Sequence, residues 1–137
     1  MKVMGTEDSL NTAVVVGDER GAVLKEVSAT LGKAGFVVMT AASGRAALER
    51  CRCQHRRVDL AVIDIAAAGI KPVEVARQLH EMSPCVRMLF LSDGNPETAP
   101  ETESLGHIRR FLPKPFRRSQ FLGRVLEMMD QPKALSA

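Results

Sequence analysis

The sequence predicts an α/β domain built on a parallel sheet with helices on both faces. Three observations point there. Short runs, apolar at every position and in part β-branched, recur along the chain, and stripes with helical spacing separate them. Four of the runs also end on residues able to do chemistry: Val14-Val15-Val16-Gly17 into Asp18-Glu19, Leu60-Ala61-Val62-Ile63 into Asp64, Met88-Leu89-Phe90-Leu91 into Ser92, and Phe111-Leu112-Pro113 into Lys114. Runs of this kind suit strands covered on both faces, as parallel strands are. Parallel strands bring their C-terminal ends to one edge, where open α/β sheets place ligands. Three carboxylates, a hydroxyl and an ammonium would converge there from distant stretches of sequence.

The elements follow in order. After Asp18-Glu19, the residues Val23, Leu24, Val27, Leu31 and Ala34 recur at helical spacing, and Gly35 stops that helix. Phe36 to Met39 is the second strand. Ser43-Gly44 opens a helix carrying Ala46, Ala47, Leu48 and Cys51, and Leu60 to Ile65 is the third strand. Pro72 suits the first turn of a helix through Val73, Val75, Ala76 and Leu79. Val86 to Leu91 forms the fourth strand and Phe111-Leu112 the centre of a short fifth. A last helix runs from about Ser119 to Met129, with Phe121, Leu122, Val125, Leu126 and Met129 inward. Alternating strands and helices imply right-handed βαβ units. Residues 95–104 break the pattern, being acidic, polar and twice interrupted by Pro. They read as a surface loop or as a short, irregular fourth helix starting at Pro100.

Composition bounds the function. A chain of 137 residues with 45% hydrophobic and 26% charged content buries one core. The formal net charge of +3 is too mild to argue for nucleic acid. No apolar run approaches the ~20 residues that cross a bilayer, and Met1 to Asn11 lacks the apolar core of a secretion signal. Three cysteines, an odd number, suit reduced thiols in a cytoplasm. With no Trp or Tyr, the core is aliphatic with some Phe and Met.

Five segments, in order, make the chain from about Thr12 to Met129 resemble the receiver domains of bacterial two-component response regulators. Asp18-Glu19-Arg20-Gly21-Ala22-Val23 is similar to the family's acidic pair followed by E-P-x-I/V. Gly35 to Leu48 matches G-Y-x-V-x-x-A-x-x-G-x-x-A-L without a gap, and Val58 to Ile65 resembles the phosphoacceptor strand P-D-L-V-L-L-D-I. Leu91-Ser92 matches L-T/S, and Phe111 to Phe116 matches Y/F-L-x-K-P-F. The resemblance implies a doubly wound, five-stranded sheet of order 2-1-3-4-5, the flavodoxin-like receiver fold. It divides the chain into an N-terminal extension (1–11), the receiver domain (12–130) and a C-terminal tail (131–137).

The chemistry explains why these residue types occur together. A carboxylate is a poor nucleophile towards a phosphoryl group because both are anionic, and a divalent cation removes that obstacle. Mg²⁺ takes hard oxygen ligands and keeps several waters, so two or three carboxylates suffice. Unpaired, such carboxylates repel: two like charges ~4 Å apart cost about 4 kcal/mol at an effective dielectric near 20. Lys114 is the evident counter-charge. By resemblance, Asp64 accepts the phosphoryl group from a phosphohistidine, and Asp18, Glu19, Asp64 and the backbone carbonyl of Ala66 hold Mg²⁺. Ser92 would hydrogen-bond a phosphoryl oxygen and Lys114 would pair with the group.

The acidic pair admits two registers. Gly17-Asp18 could stand in its place, with one carboxylate lost. Asp18-Glu19 is preferred, because Asp18 to Gly35 spans the 17 positions of the family pattern. The other register would insert a residue into the first helix and rotate its apolar face by ~100°. Asp18 can serve as a helix N-cap in either case. Ala66 and Gly94, two positions beyond Asp64 and Ser92, lack the side chains that in the family tune how long the phosphoryl group survives.

Phe111 reads either as a core residue or as the aromatic that turns inward when Ser92 moves. By resemblance Lys114-Pro115 is a candidate cis peptide. Arg109, Arg110, Arg117 and Arg118 are a solvated face or a basic docking patch. Cys51-Arg52-Cys53-Gln54-His55 has three zinc-ligand types but atypical spacing and no fourth ligand nearby, so a partly buried Cys51 is the simpler account. Only 23 residues follow Lys114. The expectation is a stand-alone receiver, or one cut from a longer protein such as a hybrid sensor kinase. Its partners would be a sensor histidine kinase or phosphotransfer protein, and a downstream protein met by the face of the fourth helix, fifth strand and fifth helix. A homodimer stays open, with no direct contact to nucleic acid or membrane. A non-phosphorylated pseudo-receiver, acting only as a binding module, is the alternative. A haloacid-dehalogenase-like phosphohydrolase is set aside because it needs a second Asp where Ala66 stands.

Overall fold

The computed structural model of the protein describes residues 11–54, 57–67, 69, 71–92 and 109–130. Their order is β1 (Thr12–Val16), α1 (Ala22–Lys33), β2 (Val37–Ala41), α2 (Gly44–Gln54), β3 (Leu60–Asp64), a 3-10 turn (Ile65–Ala67), α3 (Pro72–Met82), β4 (Arg87–Ser92), β5 (Arg109–Pro113) and α4 (Arg118–Met129). The strands form one sheet of five in the order β2-β1-β3-β4-β5, with every pairing parallel. Fold class and strand order are therefore as the sequence predicts. The expected irregular segment 95–104, His55, Gly94 and the tails 1–10 and 131–137 lie outside the described residues, so α4 is the helix anticipated as the fifth. Among the described residues no helix is long and apolar enough to cross a membrane.

Alternation along the strands sorts the apolar residues onto two faces. Val14, Val16, Ala61, Ile63, Met88 and Phe90 pack against Ala47, Leu48 and Cys51 of α2 and Val75, Ala76 and Leu79 of α3. Ala13, Val15, Leu60, Val62, Leu89 and Leu91 pack against Leu24, Val27 and Leu31 of α1 and Phe121, Val125 and Met128 of α4. Two covered faces explain why β1, β3 and β4 are apolar at nearly every position.

Local chemistry sets the boundaries. At the end of α1, Gly35 takes φ +102°, Phe36 N–H donates to the Leu31 carbonyl at 3.0 Å and Gly35 N–H to the Gly32 carbonyl at 3.1 Å. This is a Schellman closure, and its left-handed residue favours Gly. At the N-terminal edge of the sheet, Asp59 joins three strands. Its Oδ2 accepts from Thr12 N–H at 2.8 Å, its own N–H donates to the Thr12 carbonyl at 2.8 Å, and its carbonyl accepts from Arg87 N–H at 3.0 Å. These bonds carry β1 back to Thr12, two residues before the apolar run begins. Nearby, Ser83 is 2% exposed and its Oγ accepts from the buried Val58 N–H at 3.0 Å.

The three thiols are free; Cys51 is buried in α2, whereas Cys53 is exposed. Burial pushes the Cys51 thiol up from its ordinary value, against the opposing pull of the neighbouring Arg50 and Arg52.

Two outcomes follow from this packing. Ser83→Ala orphans the buried Val58 N–H and is expected to cost about 1–3 kcal/mol. Urea unfolding followed by circular dichroism, since the chain has no Trp or Tyr, should show a lower midpoint with an unchanged slope. At neutral pH, alkylation mapped by mass spectrometry should modify Cys53 well before Cys51, because the thiolate is the nucleophile. Equal rates at the two positions would contradict the burial of Cys51.

Candidate functional site

Asp64 is the last residue of β3, in register with Leu91 of β4, and is 5% exposed. A carboxylate so buried must be paired or hydrogen-bonded. Its Oδ1 accepts from Lys114 Nζ at 2.9 Å and from Ala66 N–H at 3.1 Å. The second bond exists because the 3-10 turn after β3 folds the chain back over the strand end. Lys114 arrives from beyond β5, two strands away, and its N–H donates to the Ser92 carbonyl at 2.8 Å. Its backbone is thus fixed to the end of β4 while its side chain reaches across to β3. The Lys114–Pro115 peptide is cis.

Asp18 lies two residues beyond β1. Its Oδ1 accepts from Arg20 N–H at 3.0 Å and its carbonyl accepts from Gly21 N–H at 2.9 Å, so it holds its own turn. Asp18, Asp64, Ala66 and Lys114 line one open cavity of about 430 Å³, together with Gly21, Val23, Ala42 and Ala67. Glu19 is exposed and lines a different cavity, of about 590 Å³, with Thr40, Glu49 and Cys53. The structure therefore brings together two of the three expected carboxylates. Among the described residues, no group of three or more His, Cys, Asp or Glu side chains is placed to hold a metal ion. Two carboxylates with a backbone carbonyl are nonetheless hard oxygen donors suited to Mg²⁺, which completes its shell with water.

Ser92 ends β4 and is 8% exposed; it is not among the residues lining the Asp64 cavity. Phe111 is half-buried, stacks on Phe90 with ring centroids 5.4 Å apart, and packs against the core on the α2–α3 side. Its carbonyl accepts from the Arg124 guanidinium of α4 at 3.0 Å. Of the four arginines around β5, Arg117 and Arg118 are exposed and Arg110 is half-buried, while the side chain of Arg109 lies outside the described residues. Gly21, Val23, Ala42 and Ala67 carry no sequence signal for a place in the cavity wall, because apolar residues there look like those of a core or a turn, as Val23 does in the helical stripe. Gly69, with φ +80°, continues the loop beyond Asp64 close to Ser43.

Comparison with known proteins agrees with this architecture. The response regulator receiver domain family matches residues 14–126. A curated relative, sensor kinase CckA of Brucella abortus (strain 2308), is 31% identical over 124 residues, which is 88% of this chain and 13% of that protein. The chain therefore spans only a small part of that relative's length. Among solved structures, the chemotaxis protein CheY4 of Vibrio cholerae is 26% identical with a TM-score of 0.73, over 88% of this chain and 99% of that one. A response regulator receiver protein from Sinorhizobium medicae WSM419 is 27% identical with a TM-score of 0.72, covering 89% and 96%. A CheY-like receiver from Methanospirillum hungatei JF-1, at 21% identity and a TM-score of 0.75 over 89% and 95%, shares the fold. With its family matched from the first strand into the last helix, this chain belongs to the response regulator receiver domains of two-component signalling.

Proposed function

We propose that this receiver is phosphorylated on Asp64 by the phosphohistidine of a sensor histidine kinase or phosphotransfer protein. The observation that carries the reading is the buried Asp64 carboxylate, 2.9 Å from the Lys114 ammonium, at a sheet edge open to a cavity that Asp18 also lines. Oδ1 already accepts from Lys114 and Ala66, so Oδ2 is the attacking atom. It forms the new P–O bond as the P–N bond to the donor imidazole breaks; the bonding pair stays on that nitrogen, which takes up a proton from solvent. Mg²⁺, held by Asp18, Asp64 and the Ala66 carbonyl, would supply charge neutralisation between the carboxylate and the incoming phosphoryl group.

The chain's own residues do the rest. Lys114 offsets the carboxylate charge beforehand and pairs with the phosphoryl oxygens afterwards. The Ser92 hydroxyl turns towards a phosphoryl oxygen, and Phe111 follows it, altering the surface of β5 and α4 that a downstream protein meets. Arg117 and Arg118 border that surface. The protein acts in the cytoplasm as a switch, and its chemistry is limited to its own phosphotransfer and dephosphorylation.

A non-phosphorylated pseudo-receiver is the second reading, favoured by the cavity's having two carboxylates rather than three. Incubation with Mg²⁺ and a small phosphodonor such as acetyl phosphate, followed by intact mass, separates the two. One phosphoryl adduct is expected on the wild type and none on Asp64→Asn. No adduct on the wild type, or an equal yield on Asp64→Asn, would overturn phosphorylation of Asp64 and leave the binding module.

A further inference from the structure

We infer that Gly17 occupies the position of the missing third carboxylate, that Asp18 alone supplies the cation ligand at the end of β1, and that Glu19 takes no part in the site. The inference rests on the receiver reading and deepens it.

The start of α1 accommodates this register. The case against a Gly17-Asp18 register is the residue it would insert into the helix. Yet α1 begins at Ala22, with Gly21 as its extended N-cap (φ −89°, ψ 157°). The extra residue is therefore taken up in the turn from Gly17 to Gly21, closed by Gly21 N–H on the Asp18 carbonyl at 2.9 Å. Leu24, Val27 and Leu31 stay on the sheet face, so the apolar stripe is not rotated.

Asp18 and Glu19 are both exposed, but they border different cavities: Asp18 is among the residues lining the one that holds Asp64 and Lys114, and Glu19 is among those lining the neighbouring one between β2 and α2. Gly17 is buried, continues the β1 ladder with N–H to the Ala41 carbonyl at 3.0 Å, and follows Val16, the partner of Ile63. It thus lies level with Asp64. A Cβ there would stand 3.2 Å from Leu24 Cβ and 3.5 Å from Leu24 Cα, so the bare Gly lets α1 pack tightly on the strand end. Two carboxylates face one ammonium in the resulting site, and fewer anionic ligands mean weaker divalent binding.

Mn²⁺ titration read from the free-ion electron paramagnetic resonance signal tests this, with circular dichroism to check each fold. Asp18→Asn should weaken binding about tenfold or more, while Glu19→Gln stays within about twofold of wild type. Gly17→Asp should tighten it about tenfold relative to Gly17→Ala, which carries the same crowding Cβ without the charge. If Glu19→Gln weakens binding as much as Asp18→Asn, or a folded Gly17→Asp binds no better than Gly17→Ala, the inference falls while the receiver reading stands. A wild type that takes up neither Mn²⁺ nor a phosphoryl group overturns both.

Discussion

A carboxylate buried at the end of a central strand is the constraint around which this sheet edge is arranged. Asp64 is 5% exposed, and ionised it would be strongly unfavourable without a cation. No neighbouring residue of β3 can provide one, because that strand is apolar up to Asp64 and leads into Ile65, Ala66 and Ala67. The charge comes instead from the far side of β4, on Lys114. That requires β4 to lie beside β3 and β5 beside β4 in a fixed register, and the structure fastens β4 and β5 closely. Phe90 and Phe111 are register partners and stack, while the Ser92 carbonyl takes the Lys114 N–H. The strand order and the ion pair are two descriptions of the same requirement.

The same contacts form a continuous route away from the site. Lys114 touches Asp64 through its side chain and Ser92 through its backbone, and Phe111 three residues earlier is tied to α4 through Arg124. A group that changed the charge facing Lys114 would act on the end of β4, on β5 and on the helix after it. Contiguous contacts transmit a signal only where some element has two arrangements. Phe111, half-buried at a sheet edge, is better placed for that than Phe90, which is wholly enclosed.

Most of this architecture was legible in the residues because the central strands are covered on both sides. Double burial leaves apolar runs such as Leu60 to Ile63 with no alternative reading once helical stripes flank them. The strand boundaries were less legible, and for a definite reason. β1 starts at Thr12 because the Asp59 carboxylate and backbone pair with it across a separation of 47 residues, which local pattern does not encode. The third strand stops at Asp64 instead of Ile65 because Ala66 N–H turns back to the carboxylate. The chemistry-bearing residues Asp64 and Lys114 were readable from type and order; their separation of 2.9 Å belongs to the sheet.

The start of α1 decides which acidic residue stands at the sheet edge. Periodicity reports the phase of a helix through Leu24, Val27 and Leu31, but it is silent on how many residues lie between the strand and the first turn. One residue more in that connection leaves every apolar position of the helix in place and slides the acidic residues by one. Gly17 then shows what the position is used for. Packing Leu24 within 3.2 Å of where a Cβ would stand favours a close helix–strand contact over another anionic side chain. The strand end at which a further carboxylate would strengthen a cation site is also where α1 rests on the sheet, and in this chain that position holds a residue that admits close packing instead of a charged one.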